Sequence, residues 1–270
     1  MTQVELEKLF HKNHKKTRIS SEFDIPQFHQ KAERAELPIK FVISLLSVLI
    51  EMKRGHIRIF IGMLANNFED EGEITKYQKC ADAIIKAAEY DLVDYNPLSN
   101  EVITHFDVSE DVYMDLERYQ YPLPMIIPPM EVRTNRDSGY LTDKSSMLLG
   151  KGNSTDEDIC LNHINTLNKI PYEINTDTAA FTRNRWKDLE APKEGESKDD
   201  FNRRIKAFKR FNTSTKDVLA ALLMKGNKLW LTWKYDKRGR CYSQGYHVNI
   251  QSNAWGKAII EFADKELLTS

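Results

Sequence analysis

The chain has 270 residues, enough for one large domain or two modest ones with their own cores. Hydrophobic residues make up 41% and charged residues 29%, a globular composition that excludes global disorder. The formal net charge of −1 gives no reason to expect a polyanionic partner, but the charges are unevenly placed. Phe201 to Arg240 holds twelve Lys or Arg and two acids, a net of +10 that leaves −11 for the rest. Such asymmetry predicts one basic face on an acidic body. Cys80, Cys160 and Cys241 are odd in number and show no CxxC spacing, the pattern of a reducing compartment without a disulfide framework. The charged N-terminus has no signal-peptide run, and the longest apolar run, Phe41 to Ile50, is far short of a membrane span. The expected location is a cytosol, that of a host included, with no membrane contact.

In chain order, "LPIKFVISLLSVLIEMK" is apolar almost all round and predicts a buried core helix opened by Pro38. "ITKYQKCADAIIKAAEY" spaces Ile74, Tyr77, Ala81, Ile84, Ile85 and Ala88 as an amphipathic helix. β-rich arms around Asn96–Asn100 predict a hairpin near 92–108, and "VSEDVYMDLERY" returns to helix with Ser109 as its cap. Prolines and glycines dominate Tyr121 to Lys151, which reads as ordered loop and as the best internal boundary. A helix is expected to restart under Ser154 or Thr155. Residues 187–199 read as a flexible linker or loop tip. "DDFNRRIKAFKRF" puts Phe201, Ile205 and Phe208 on one helical face, with Arg203, Lys206 and Arg210 roughly opposite.

The densest chemistry lies in "WKYDKRGRCY", Trp233 to Tyr242. Leu229, Leu231, Trp233 and Tyr235 alternate with Trp230, Thr232 and Lys234, the pattern of a half-buried strand that runs into a charged turn. Arg238 and Arg240 would present planar forks to phosphate oxygens, with Gly239 between them allowing close backbone approach. Asp236 can fix the direction of one fork, and Tyr242 offers a ring to a base or sugar. The plain alternative is a solvated hairpin tip.

Other groups carry weaker signals. His11 and His14 form an HxxH without a third ligand, and His163 stands alone. The acidic runs Glu69–Glu71, Asp156–Asp158 and Asp199–Asp200 fit helix-dipole and capping roles better than Mg²⁺ sites. Gly150-Lys151-Gly152 reads as a turn, and Cys241 has no partnering His that would make it a nucleophile.

Asp-x-Arg-Gly-Arg-x-Tyr after an aromatic strand resembles the conserved element of single-subunit, phage and mitochondrial-type RNA polymerases, which read Asp-aromatic-Arg-Gly-Arg-x-Tyr. "NIQSNAWGKAIIEFADKELL" downstream, and "KCADAIIKAAEYDLV", "PMIIPP", "SGYL" and "IPYEIN" upstream, resemble that family in its order, so patches cover roughly 75–270. Lys237 departs from the family aromatic, and one extra residue lies between Arg240 and Gln251. The family's metal-binding aspartates, nucleotide-selecting residues and promoter-reading loop would lie beyond Ser270. The resemblance is therefore to the small chain of a split, heterodimeric phage member of the family.

That resemblance implies a mostly α fold with small β-hairpins (α+β). Residues 1–165 would form a helical N-terminal domain, 166–228 a thumb-like helical segment, and 229–270 the start of a palm. It implies that Arg238 and Arg240 grip template or RNA–DNA hybrid, with Gly239, Asp236 and Tyr242 in support. Gln251, Asn253 and Lys257 would be further polar contacts, and Arg203, Lys209 and Arg210 would contribute from the basic helix. Mg²⁺ would be held by a partner subunit carrying palm and fingers, seated on Trp230, Trp233, Trp255, Ile259 and Phe262. The strand of 229–235 would then have an unpaired edge in the lone chain, which would make no RNA by itself. A single-stranded-DNA-binding recruitment factor is a further partner to test for, and the setting would be the cytoplasm of an infected bacterial host. Two other classes stand beside this one: a free-standing single-strand-binding or transcription accessory protein, and a metal-dependent nuclease built on one acidic run.

Overall fold

A computed structural model describes residues 1–150, 152–180 and 189–266. Lys151 of the Gly-Lys-Gly turn, the first two residues of the 187–199 linker and the chain beyond 266 lie outside the described residues. The architecture is α+β, with helices and small antiparallel sheets. Contacts divide it into two compact units, Lys12–Tyr113 and Met1–His11 with Met114–Ser270. The expected divisions at 165/166 and in 121–151 are not where the units part.

The first helix, α1 (Gln3–Phe10), belongs to the larger unit and starts in a capping box, Thr2 with Glu5. The smaller unit holds α2 (Lys12–Phe23), α3 (Pro26–Arg34), α4 (Ile39–Met52), β1 (Arg54–His56), α5 (Ile57–Leu64), α6 (Lys76–Glu89), β2 (Asp94–Asn96) and β3 (Glu101–Ile103). α4 is the predicted core helix, with Phe41, Val42, Leu45, Leu46 and Leu49 fully buried and α2 and α3 packed against it. The hairpin forms, and β1 adds a third strand in the order β1-β3-β2. Thr75 caps α6, whose buried face is Cys80, Ala83, Ile84 and Ala87. Ile74 and Tyr77, counted on that face from the sequence, are exposed. Ile74 precedes the helix, and the core takes the neighbouring stripe of small residues that permits close packing.

α7 (Glu110–Tyr119) follows, with Ser109 Oγ accepting from Val112 N at 3.4 Å as expected of a cap. The larger unit continues with α8 (Leu161–Asn168), β4 (Pro171–Ile174), α9 (Thr176–Ala180), α10 (Lys198–Leu223), β5 (Leu229–Trp230), β6 (Trp233–Tyr235), β7 (Cys241–Ser243), α11 (Ala254–Ala258) and β8 (Ile260–Phe262). Residues 121–150 form ordered loop. Asn135 Nδ2 donates to the carbonyls of Thr155 and Glu157, and Asn165 makes a reciprocal pair with the backbone of Val132. The Asn135 bonds hold 155–157 extended, so the helix expected under Ser154 or Thr155 starts only at Leu161.

Two further expectations fail for non-local reasons. The strand predicted over 229–235 is two strands in two sheets. Thr232 O accepts from Gln244 N, Trp233 N donates to the buried Asn168 side chain, and Leu231 and Thr232 are both buried, which breaks the alternation. The segment "AWGKAIIEF", whose family counterpart is helical, is helix only to Ala258, because Ile260–Phe262 pairs with β4 in the order β5-β4-β8. The β5-β4-β8 sheet frames a core that includes Leu6, Ile174, Leu219, Leu231 and Ile259, and the β6-β7 hairpin a satellite around Met147, Ile164 and Trp233.

Candidate nucleic-acid interface

β6 and β7 are joined by a three-residue loop. Asp236 N donates to Arg240 O at 2.8 Å and Gly239 N to Asp236 O at 3.0 Å, the hairpin type whose last loop residue is left-handed. Gly239 has φ +79°, which a side chain would strain. A Cβ there would meet no atom within 4 Å, so glycine answers the backbone angle rather than crowding by this chain.

Asp236 organises the turn. Its Oδ1 accepts from the backbone N–H groups of Arg238 (2.8 Å) and Arg240 (2.9 Å), and its Oδ2 from the Nε atoms of both (3.3 and 2.9 Å). The carboxylate is 16% exposed while the Arg238 and Arg240 side chains are 72% and 53% exposed. The Arg240 backbone N–H, then its guanidinium, hold the Asp236 carboxyl below the usual carboxylate range. Nη2 of each arginine also lies against Asp236 Oδ2, at 3.3 and 2.9 Å, so the Nε edge of each fork is held by Asp236, and exposed Lys237 beside them leaves a net +2 at the tip. Each fork can donate two parallel bonds to a phosphate. The Arg240 guanidinium lies 5.6 Å from the Tyr242 ring centroid, so one ring face is engaged within the chain. A cleft of about 670 Å³ opens beside the turn, lined by Leu148, His163, Tyr235, Asp236, Lys237 and Gly239 among others. Burial pushes the Cys241 thiol up.

The other sequence-chosen contacts scatter. Gln251 accepts from Ser243 N at 2.8 Å and donates to Cys241 O at 3.0 Å, which staples β7. Asn253 caps α11 by accepting from Gly256 N at 2.9 Å. The side-chain oxygens of both are engaged within the fold, while Asn253 Nδ2 takes no part in these bonds. Lys257 is exposed on α11. On α10, Arg203 is exposed and pairs with Asp200, and Lys206 and Lys209 are exposed. Arg210 is half-buried near Glu117, so it does not share the open basic face expected for it.

The structure places part of the expected partner face inside the fold. Trp233 (6% exposed) and Ile259 (0%) are core residues. Trp230 pairs its backbone with Met125 in both directions, and Trp255 packs on the core. Tyr235 N and O bond Met147 O and Leu149 N, so the edge expected to be open is covered by the chain's own loop. Phe262, 61% exposed and stacked on Tyr172 at 5.6 Å, is the residue of that set most open to a partner.

Sequence reasoning missed a second cleft, of about 440 Å³, between α10 and the segment after β7. Phe208, Phe211 and Tyr246 line it, and Tyr121 lies 5.0 Å from Tyr246 by ring centroids. Tyr246 was legible only as an aromatic just past the arginine turn. Its meeting with Phe211 is tertiary. Among the described residues no group of three or more His, Cys, Asp or Glu is placed to hold a metal, and no helix is long and apolar enough to cross a membrane. No protein-family model and no curated protein matches this chain.

Proposed function

We propose that this chain is a nucleic-acid-gripping subunit of a DNA-directed RNA polymerase of the single-subunit type. In this reading Arg238 and Arg240 hold template or RNA–DNA hybrid for a partner chain that carries the metal-binding carboxylates. The supporting observation is the Asp236 clamp: one shielded carboxylate fixes two exposed guanidiniums before any ligand arrives. Prepaid ordering of this kind favours holding a strand in register, because the side-chain entropy is already lost. In this reading Mg²⁺ and the carboxylates that hold it belong to the partner chain. The chain's own part is electrostatic.

The test is reconstitution with the product of a reading frame bearing palm and fingers motifs, then primer extension on an RNA–DNA scaffold. Arg240→Ala should cripple extension and lower the salt slope of scaffold binding by about 0.7–0.9 per lost phosphate contact. The thermal transition of the chain should stay in place, since the exposed fork supports no core. Wild-type extension by the mutant complex would rule the role out. The aromatic cleft favours a second reading, a free-standing single-strand-binding protein. That reading expects tight binding by the lone chain and no extension with any partner.

A further inference from the structure

The second cleft presents a feature of single-strand binding sites, exposed aromatic faces. Tyr246 and Tyr121 are 45% and 44% exposed and tilted together, unlike the buried aromatics of the cores. Beneath them Phe211 meets Tyr246 edge-on at 5.3 Å and stacks on His247 at 5.7 Å, which holds the platform rigid. His247 is itself anchored, its Nε2 donating to Glu117 O at 3.0 Å and its Nδ1 bonded to Thr215 Oγ1 at 2.8 Å. Gly245 closes the corner at φ +127°, where a Cβ would stand 2.7 Å from Val248 O, so the backbone before Tyr246 admits no side chain. Lys206, Lys209 and Lys257 are exposed but lie outside the lining, Lys206 and Lys209 on the face of α10 turned away from Phe208 and Phe211. Glu117 is the one carboxyl in the lining and can accept from an exocyclic amino group. The volume falls within the range of ligand pockets, about 300–1,000 Å³.

We infer that this cleft takes an unpaired base of a single-stranded nucleic acid, stacked on Tyr246. The occupant is a single strand because a paired base keeps its faces inside the stack and could not reach Tyr246. The inference rests on the proposed function only in that the chain meets nucleic acid. It adds a site that reads exposed bases where the arginine turn reads phosphates.

The experiment uses the full chain and a single strand of about 12 nucleotides carrying one central 2-aminopurine, as deoxy and ribo versions, with the matched duplex as control. Binding should quench the 2-aminopurine in the single strands and not in the duplex. Tyr246→Leu should weaken single-strand binding by about 5- to 100-fold without changing the salt slope, since it removes stacking and no charge. Tyr246→Phe should bind as wild type, which separates stacking from hydroxyl chemistry and from misfolding. Wild-type binding by Tyr246→Leu, or equal quenching in the duplex, would overturn the inference. If Arg238→Ala with Arg240→Ala abolishes binding while Tyr246→Leu does not, the cleft is excluded and the arginine turn stands. The reverse pattern supports the cleft and removes the turn.

Discussion

His247 shows how much one side chain settles in this fold. It is 3% exposed and joins α7, through the Glu117 carbonyl, to α10, through Thr215. A carbonyl only accepts, so the proton sits on Nε2 and Nδ1 accepts from the threonine hydroxyl, which defines a neutral tautomer. Burial holds its pKa below the ordinary value near 6.5, with the Glu117 carbonyl pulling the other way. The unfolded chain therefore binds more protons than the folded one below about pH 6.5, and stability must fall as pH drops through that value. The contribution is whole above the unfolded pKa and is lost towards the depressed folded one. Calorimetry from pH 7.5 to 5 should show a falling transition temperature, with a shallower fall in His247→Gln, about pH 7.5 to 5 being the window the linkage selects. Equal slopes in the two proteins would mean that His247 does not carry the effect.

The long basic helix is fixed at its start by more than its cap. Ser197 Oγ accepts from Asp200 N, a cap worth about 1 kcal/mol, and two acids sit in the first turn. Ahead of it Arg204 grips Glu196 with Nε at 2.8 Å and Nη2 at 2.7 Å, both side chains being only about one-seventh exposed. Arg204 also reaches Ala191 O, and Lys193 N donates to Glu196. The described part of the segment read as a flexible linker, 189–197, is thus folded back on the helix. The Arg204 guanidinium pulls the Glu196 carboxyl down to about 2. Such a group stabilises fully above its unfolded value and loses the effect as pH falls through about 2, so the clasp holds throughout the neutral range. Arg204→Ala should make 189–197 the first site of limited proteolysis at neutral pH, several-fold faster than in wild type. Unchanged cleavage there would show that the clasp does not order the loop.

At the scale of the molecule, the N-terminal eleven residues belong to the unit formed by 114–270. Glu7 explains why. It is 1% exposed and accepts from Leu141 N at 2.9 Å, Thr142 N at 2.7 Å, Thr142 Oγ1 at 2.6 Å and Gln3 Nε2 at 2.9 Å. Gln3 in turn accepts from Ile126 N at 2.9 Å. Leu6 enters the core beside them. Glu7→Ala strands buried donors, at about 1–3 kcal/mol, and should lower the transition temperature by about 2–12 °C. Hydrogen exchange should locate the loss in 114–266 and spare 12–113. A loss spread evenly over both units would contradict the division.

Local pattern alone determined a good deal of this protein. The buried helix of 39–52, the capped helices at 76 and 110, the hairpin near 94–103 and the turn of 236–240 all follow from contacts within a few residues. Asp236 could be assigned to the arginines because every atom it bonds lies within four residues of it. Tertiary structure decided the rest. Glu7 reads as an ordinary helix acid until Thr142 comes to it across 135 positions. Leu229–Tyr235 reads as one strand because period two is intact, but Asn168 and Gln244 supply partners that split it between two sheets. Ile259 and Ile260 continue a helical stripe equally well as a strand, and only pairing with Tyr172–Ile174 selects the strand. The aromatic cleft depends on Tyr121, Phe211 and Tyr246, which have no spacing in common. Periodicity reports which face a residue presents, whereas distant donors, acceptors and ring faces are chosen by the packing that brings them together.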